Sequence, residues 1–195
     1  MSFAPPGGHT RMRIVHCSLA VSLDGYIVGP DGGMNWTAPD EEVFRFSIDE
    51  TREVGAHLLG RRLYESMLYW EDASFEGPQL EFAEIWNPLP KVVFSRTLTE
   101  VRGTARLASG GLAEEVERLR AEPGEGAIAI GGANLLAQAA AADLVDEYRI
   151  RVYPVLVGGG IPLFPQDGRR VDLDLVETRP LGSTGVVFVH HRVVR

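Results

Sequence analysis

The sequence predicts an α/β protein: a mixed central sheet flanked by helices and closed by a C-terminal antiparallel hairpin. Three observations predict it. Up to Leu144, apolar strand-like runs alternate with amphipathic helical segments, the order expected of parallel strands joined by helical crossovers. After Leu144 three β-rich runs follow with no room for such helices, and the last two are separated by the turn sequence RPLGSTG. At 195 residues and 45% hydrophobic content the chain is long enough to bury one substantial core. No internal repeat or linker divides it, so one domain is expected over residues 13–195, preceded by a frayed tail of residues 1–12.

RIVHCSLAVSL, Arg13 to Leu23, is apolar on both faces, as a covered central strand should be. DGYIVGPDGGMNWTAPDEE is rich in glycine and proline and reads as a long loop with little regular pairing, of the kind that is often functional. A helix is expected in APDEEVFRFSIDETREVG, with Pro39 in its first turn, Asp40, Glu41 and Glu42 at its positive end, and Val43, Phe44 and Phe46 facing inward. HLLGRR is a short strand, RLYESMLYW a short helix buried through Leu63, Met67 and Leu68, and KVVFSRT and ARLAS are further strands. LAEEVERLRAE repeats Leu112, Val116 and Leu119 at helical spacing. GAIAI and ANLLAQAAAADL form the next strand and helix, and VDEYRIRVYPVLV, VDLDLVETRPLG and GVVFVHHRVVR are the closing strands.

Charge and motifs exclude several functions. A net charge of -8 argues against a nucleic-acid or anionic-lipid partner. No apolar run reaches the roughly 20 residues of a membrane span, and the start MSFAPPGGHTRM carries no hydrophobic signal region, so a cytoplasmic protein is expected. The single Cys17 forms no internal disulfide and sits in a buried strand, where a thiol packs as a core residue. No CxxC, HExxH or paired-His spacing frames a metal, and adjacent His190 and His191 on a strand point to opposite faces. GxGxxG, GxxxxGK[ST] and GxSxG are all missing.

In an open α/β sheet, ligands bind beyond the carboxyl ends of parallel strands. Three corners here carry suitable chemistry: Gly60-Arg61-Arg62, Ser95-Arg96-Thr97 and Gly131-Gly132-Ala133-Asn134. Arginine binds phosphate bidentately, serine donates a hydrogen bond, and paired glycines admit a pyrophosphate close to the backbone. Each corner alone reads first as an ordinary turn; three in one sheet suit a dinucleotide.

Together, SLAVSLDGYIVGPDGGMNW, LLGRRLYESM, KVVFSRT, AIAIGGANLLAQA and VDEYRIRVYPVLVGGGIPLF resemble the dihydrofolate reductase-like superfamily, above all stand-alone relatives of the reductase domain of riboflavin biosynthesis deaminase-reductases. The resemblance runs from about Arg13 to Val194 and implies a three-layer dihydrofolate reductase-like fold, a homodimer, and NADPH-dependent hydride transfer to a small heterocyclic or ribosylamino-pyrimidine-type substrate. It places Ala20 and Ile27 at the nicotinamide, and Gly29 to Trp36 as the loop that closes over it. Gly60, Arg61 and Arg62 fall at the cofactor phosphates, Ser95 and Arg96 at the adenosine 2'-phosphate, and Gly131, Gly132, Ala133, Asn134 and Leu135 at the pyrophosphate. The paired Arg61 and Arg96 favour NADPH over NADH. Trp36 and Glu41 are implied on the substrate side, Glu41 as the acid of a pterin site, although helix capping also explains it. Leu63 stands where the phosphate corner commonly has threonine, which removes one donor. Asp24 is the acidic residue nearest the implied nicotinamide, either as catalytic acid or as part of an ordinary LDG turn. The alternatives are a nucleotide-binding sensor or assembly domain without turnover and a reductase acting on a pterin.

Overall fold

A computed structural model describes residues 13–37, 40–164 and 167–195. The expected tail of residues 1–12 and Pro39 lie outside them. The strands are β1 (Val15–Ser22), β2 (Tyr26–Val28), β3 (Val54–Gly60), β4 (Lys91–Phe94), β5 (Ala105–Leu107), β6 (Ala127–Gly131), β7 (Glu147–Tyr153), β8 (Ile161–Pro162), β9 (Leu173–Leu181) and β10 (Val186–Val193). The helices are α1 (Glu41–Arg52), α2 (Arg61–Met67), α3 (Tyr69–Asp72), α4 (Gly77–Trp86), α5 (Leu112–Ala121) and α6 (Ala133–Ala141).

Eight strands form one sheet in the order β5-β4-β3-β6-β1-β7-β10-β9. From β5 to β7 the pairings are parallel, and β10 runs antiparallel to both β7 and β9. The mixed sheet and terminal hairpin predicted from sequence are therefore present. The change of direction comes at β10, because α6 still provides the crossover that keeps β7 parallel to β1. One face packs Val15, Cys17, Leu58, Ile128, Ile130 and Ile150 under α5 and α6 through Val116, Leu119, Leu135, Leu136 and Ala139. The other packs under α1, α2 and α4 through Ile48, Tyr64, Phe82 and Trp86, with a separate cluster of Val43, Tyr153, Leu181, Val186 and Phe188 nearer the hairpin. Burial pushes the Cys17 thiol up to about 12, so it packs as a core residue.

Four local expectations are corrected. The loop after β1 carries β2, which pairs with β8 in a two-stranded ribbon, because Ile27 drops into the main core and the glycine run Gly158 to Gly160 returns the chain against it. The strand expected through Val157 stops at Tyr153, since Pro154 follows and supplies no N–H to the ladder. Asp40 caps α1 by accepting from the Glu42 and Val43 amides, so that helix spans Glu41–Arg52 and Val54 onward already belongs to β3. Helix α4 has no counterpart among the expected elements. Its apolar residues encircle the helix and leave no clear 3.6-residue stripe, although Pro78 in the first turn marks its start. No described helix is long and apolar enough to cross a membrane.

Gly160 holds a φ of +115°, and a Cβ there would strike the Val28 carbonyl oxygen of the facing ribbon strand. Gly160→Ala is expected to lower stability by roughly 2 kcal/mol, read as a fall in Tm of about 4–8 °C; an unchanged Tm would contradict the close approach.

Across the amino-terminal half of the sheet runs a polar row. Register joins Lys91 to His57, His57 to Ala129, Ala129 to His16, His16 to Glu147, and Glu147 to Arg192. His16 is 1% exposed and both ring nitrogens are buried without hydrogen-bond partners among the described residues. Burial first, then the charge of Arg149, holds it down to about 3. An unfolded histidine titrates near 6.5, so as pH falls below that value the unfolded chain takes up a proton that native His16 refuses, and stability falls. Stability is expected to be full above about pH 7 and to fall by about 2 kcal/mol from this ring between pH 7.5 and 5. His57, held down to about 4 chiefly by burial, steepens the same slope. Urea midpoints at the two pH values measure it, and the fall should shrink in His16→Leu.

Candidate active site

The carboxyl ends of β4, β3 and β6 are neighbours, so the three corners singled out by sequence meet on one edge. Register puts Gly60 opposite Phe94, the residue before Ser95, and Leu59 opposite Gly131. At about 4.8 Å per strand the corners span roughly 10 Å. Gly60 and Gly132 are the N-caps of α2 and α6, and neither cap supplies a side-chain hydrogen bond to the first turn. The first-turn amides of the nine-residue α6 therefore keep donors for a ligand. Gly132 has a φ of +99°, and a Cβ on it would lie 3.6 Å from the Gly60 amide nitrogen. Side chains at these two positions would close the gap between the corners.

Ser95 Oγ accepts from the Thr97 amide at 3.1 Å and the Leu98 amide at 2.9 Å and lies 3.4 Å from Thr97 Oγ1, a long contact that its proton can leave for a better acceptor. Arg61 is paired with Glu65 at 3.1 Å. Arg62 and Arg96 differ from every other described arginine: both are exposed, and neither guanidinium meets a carboxylate, a carbonyl or a hydroxyl among the described residues. Asn134 Oδ1 accepts from Gln138 at 2.7 Å, and Leu135 is buried beneath α6, so what these two positions present to the edge is main chain.

At the other end of the edge, Ala20 faces α1 and packs with Trp36, Phe46 and Val155 around the hairpin-side cluster. The Ile27 side chain, by contrast, is in the opposite core at 6% exposure, so what this position presents to the edge is main chain. Trp36 stands edge-on to Tyr153 with ring centroids 5.6 Å apart. Asp24 accepts from Ser22 Oγ at 2.6 Å, the Gly158 amide at 2.8 Å and the Val157 amide at 3.2 Å. The Ser22 hydroxyl, followed by those amides, holds its carboxyl below the usual range, so Asp24 is an anion tying the β1 turn to the glycine run. Glu41 is exposed and paired with Arg45 at 2.9 Å.

Two groups on the α1-covered face of the sheet were not singled out by the sequence. Glu50, on the sheet-facing side of α1, is 8% exposed and accepts from Ser18 Oγ at 2.5 Å and Arg151 at 2.9 Å. Burial raises its pKa, opposed by Arg151 and Ser18. Tyr153 is the last residue of β7, opposite Ser22 of β1. The alternation Arg149, Arg151, Tyr153 put all three on one strand face in advance, but not what covers that face. Two cavities of about 380 Å³ each lie elsewhere: one beside the C-terminal residues Val193 to Arg195, the other between Trp70, Phe75 and Asn87.

Residues 13–187 match the family model of the RibD C-terminal domain. YyaP of Bacillus subtilis (strain 168), described as uncharacterized, is 33% identical over 184 residues, which is 93% of this chain and 96% of that one. Among solved structures, a protein of Shewanella sp. PV-4 described as a putative riboflavin biosynthesis protein superposes with a TM-score of 0.77 at 24% identity, over 93% of this chain and 99% of that one. The Thermotoga maritima diaminohydroxyphosphoribosylaminopyrimidine deaminase/5-amino-6-(5-phosphoribosylamino)uracil reductase gives 0.65 at 17% identity, over 94% of this chain and 57% of that one. Dihydrofolate reductase from Enterococcus faecalis, complexed with NADP(H), gives 0.59 at 13% identity, over 93% of this chain and 97% of that one. The fold is dihydrofolate reductase-like.

Proposed function

This chain belongs to the RibD C-terminal domain family, and from that premise we propose that it is an NADPH-dependent reductase that delivers hydride to a small heterocyclic substrate. The observation that carries the reading is the pair Arg62 and Arg96, two unpaired guanidiniums at adjacent corners of one sheet edge. An uncompensated cation pair beside glycine-capped helix starts suits a phosphorylated dinucleotide, whose 2'-phosphate is a dianion. In this reading Ser95, Arg96 and Arg62 hold the 2'-phosphate end. Gly60, Arg61, Gly131, Gly132, Ala133, Asn134 and Leu135 line the pyrophosphate, chiefly with main-chain N–H groups. Ala20 and Ile27 flank the nicotinamide, Gly29 to Trp36 cover it, and Trp36 and Glu41 lie on the substrate side.

The bound nicotinamide would supply the hydride. The chain's own work is to orient and to exclude water. Asp24, an anion held by three donors, keeps the β1 turn against Gly158 and so shapes the mouth of the site rather than giving up a proton. In the cell the protein works as a cytoplasmic homodimer, joined through β9 and β10, where Leu173, Leu175, Val176 and Val187 are exposed on an edge that a second copy would cover.

Calorimetric titration with NADPH and NADH tests the cofactor, with NADPH expected to bind at least tenfold more tightly. Binding of neither would remove the reading. NADPH binding with no oxidation across pyrimidine, pterin and lumazine substrates would leave the sensor alternative. Light scattering should give twice the 21.3 kDa chain mass.

A further inference from the structure

We infer that the substrate end of this site is built for a neutral, flat heterocycle that presents hydrogen-bond acceptors and carries no phosphate, with Tyr153 as the residue that selects it. The inference rests on the cofactor reading only for which end of the edge is left to the substrate.

Two donors at that end lack acceptors. Trp36 Nε1 is buried with no hydrogen-bond partner among the described residues. The Tyr153 hydroxyl makes no hydrogen bond among them either, and on a residue 9% exposed it is not fully shut off from solvent, so it is open to an acceptor. A buried donor without a partner is costly, and an indole N–H can only donate. Burial raises the Tyr153 pKa, with Arg151 opposing, so the hydroxyl stays protonated. The rings lie edge-on at 5.6 Å, so the two donors belong to one crevice, and a carbonyl oxygen or ring nitrogen would satisfy them. Its walls are apolar: Ala20, Val43 and Val155 pack with Tyr153 and Trp36. At the rim, Leu23 and Leu156 are 65% and 71% exposed, and the Leu23 amide donates to Val155 at 2.9 Å. Exposed leucines placed together suit the face of a ring.

The charges here repel a phosphate. Asp24 stands two residues past Ser22, the β1 partner of Tyr153, and Asp40 at the α1 start acts on the Tyr153 hydroxyl, with Asp31, Glu41 and Glu42 on the adjoining loop and first helical turn. The arginines on the surrounding elements are already paired: Arg45 with Glu41 at 2.9 Å, Arg151 with Glu50 at 2.9 Å, and Arg179 with Glu177 at 3.0 Å. The unpaired Arg62 lies at the start of α2, directly after β3, which is three strands from β7 in the sheet order, or roughly 14 Å at 4.8 Å per strand. A substrate phosphate at Tyr153 would therefore meet carboxylates and no free cation.

The test is calorimetry on the NADPH-loaded protein with two probes, lumazine and 5-amino-6-(5-phosphoribosylamino)uracil. Lumazine is expected to bind at least tenfold more tightly. Tyr153→Phe should weaken lumazine roughly tenfold, the worth of one hydrogen bond, while changing NADPH affinity less than twofold, which also reports that the variant is folded. Tighter binding of the phosphorylated compound, no lumazine binding by a protein that binds NADPH, or an unchanged lumazine affinity in Tyr153→Phe would each overturn the inference. Failure of NADPH itself to bind would instead strike the cofactor reading.

Discussion

Arg62→Ala/Arg96→Ala is expected to bind NADPH at least a hundredfold more weakly than the parent protein, with NADH affinity nearly unchanged. A charge-assisted hydrogen bond is worth about 1.5–3 kcal/mol, so each guanidinium contributes a factor of roughly 10 to 100 on a dianionic phosphate. Among the described residues neither arginine has a partner to give up before it binds, so little of that energy is spent on breaking existing pairs. Arg61 is a useful contrast: it is held by Glu65 at 3.1 Å, and Arg61→Ala should have the smaller effect. Because both free guanidiniums are exposed, the preference for NADPH should shrink as salt is raised from 0.05 to 0.5 M. Equal losses for NADPH and NADH would assign the two arginines to something other than the 2'-phosphate.

Lys91→Met is expected to produce the largest loss of stability. Lys91, the only lysine in the chain, is 2% exposed. Its Nζ donates to the carbonyls of Trp86 at 2.7 Å, Leu89 at 3.0 Å and Asn87 at 3.1 Å, and to Thr104 Oγ1 at 3.1 Å, while lying 4.9 Å from the Trp86 ring centroid. Burial lowers its pKa to about 8, so at neutral pH it is a buried cation whose hydration is replaced by these acceptors at the C-terminal end of α4. Methionine fills similar volume but leaves carbonyls facing an apolar group. With each stranded acceptor costing about 1–3 kcal/mol, and Thr104 still able to satisfy some of them, a net loss of about 3 kcal/mol is expected. Tm should fall by about 6–12 °C. A loss below 1 kcal/mol in urea unfolding would show that the carbonyls find water instead.

The reach of local sequence is clearest at β6 and α6. Alternating apolar residues, then Gly131 and Gly132, then helix formers state the strand, the turn and the helix, because each depends only on neighbours a few residues away. The same holds for Asp40 as a cap and for the RPLGSTG turn. Helix α4 was less legible because its amphipathic signal is weak, and the β2-β8 ribbon because its strands are short and separated by more than 130 residues.

Within the site, sequence put Arg62 and Arg96 at two corners by residue type, and the family likeness pointed to Arg61 with Arg96. Sequence could not say that Arg61 is taken by Glu65 while Arg62 and Arg96 stay free, since pairing is settled by side-chain geometry. Nor could it distinguish Glu41, exposed and paired on the surface, from Glu50, buried against Ser18 and Arg151 two turns along the same helix. Both are glutamates on α1, and only the packing of that helix on the sheet decides which one is desolvated. By itself the sequence determined the fold class, the order of most elements and the three glycine- and arginine-bearing corners, all written in local periodicity and turn chemistry. The tertiary structure decided which charges are spent on one another and which donors are left over at Trp36 and Tyr153, because those depend on residues far apart in the chain meeting across a sheet.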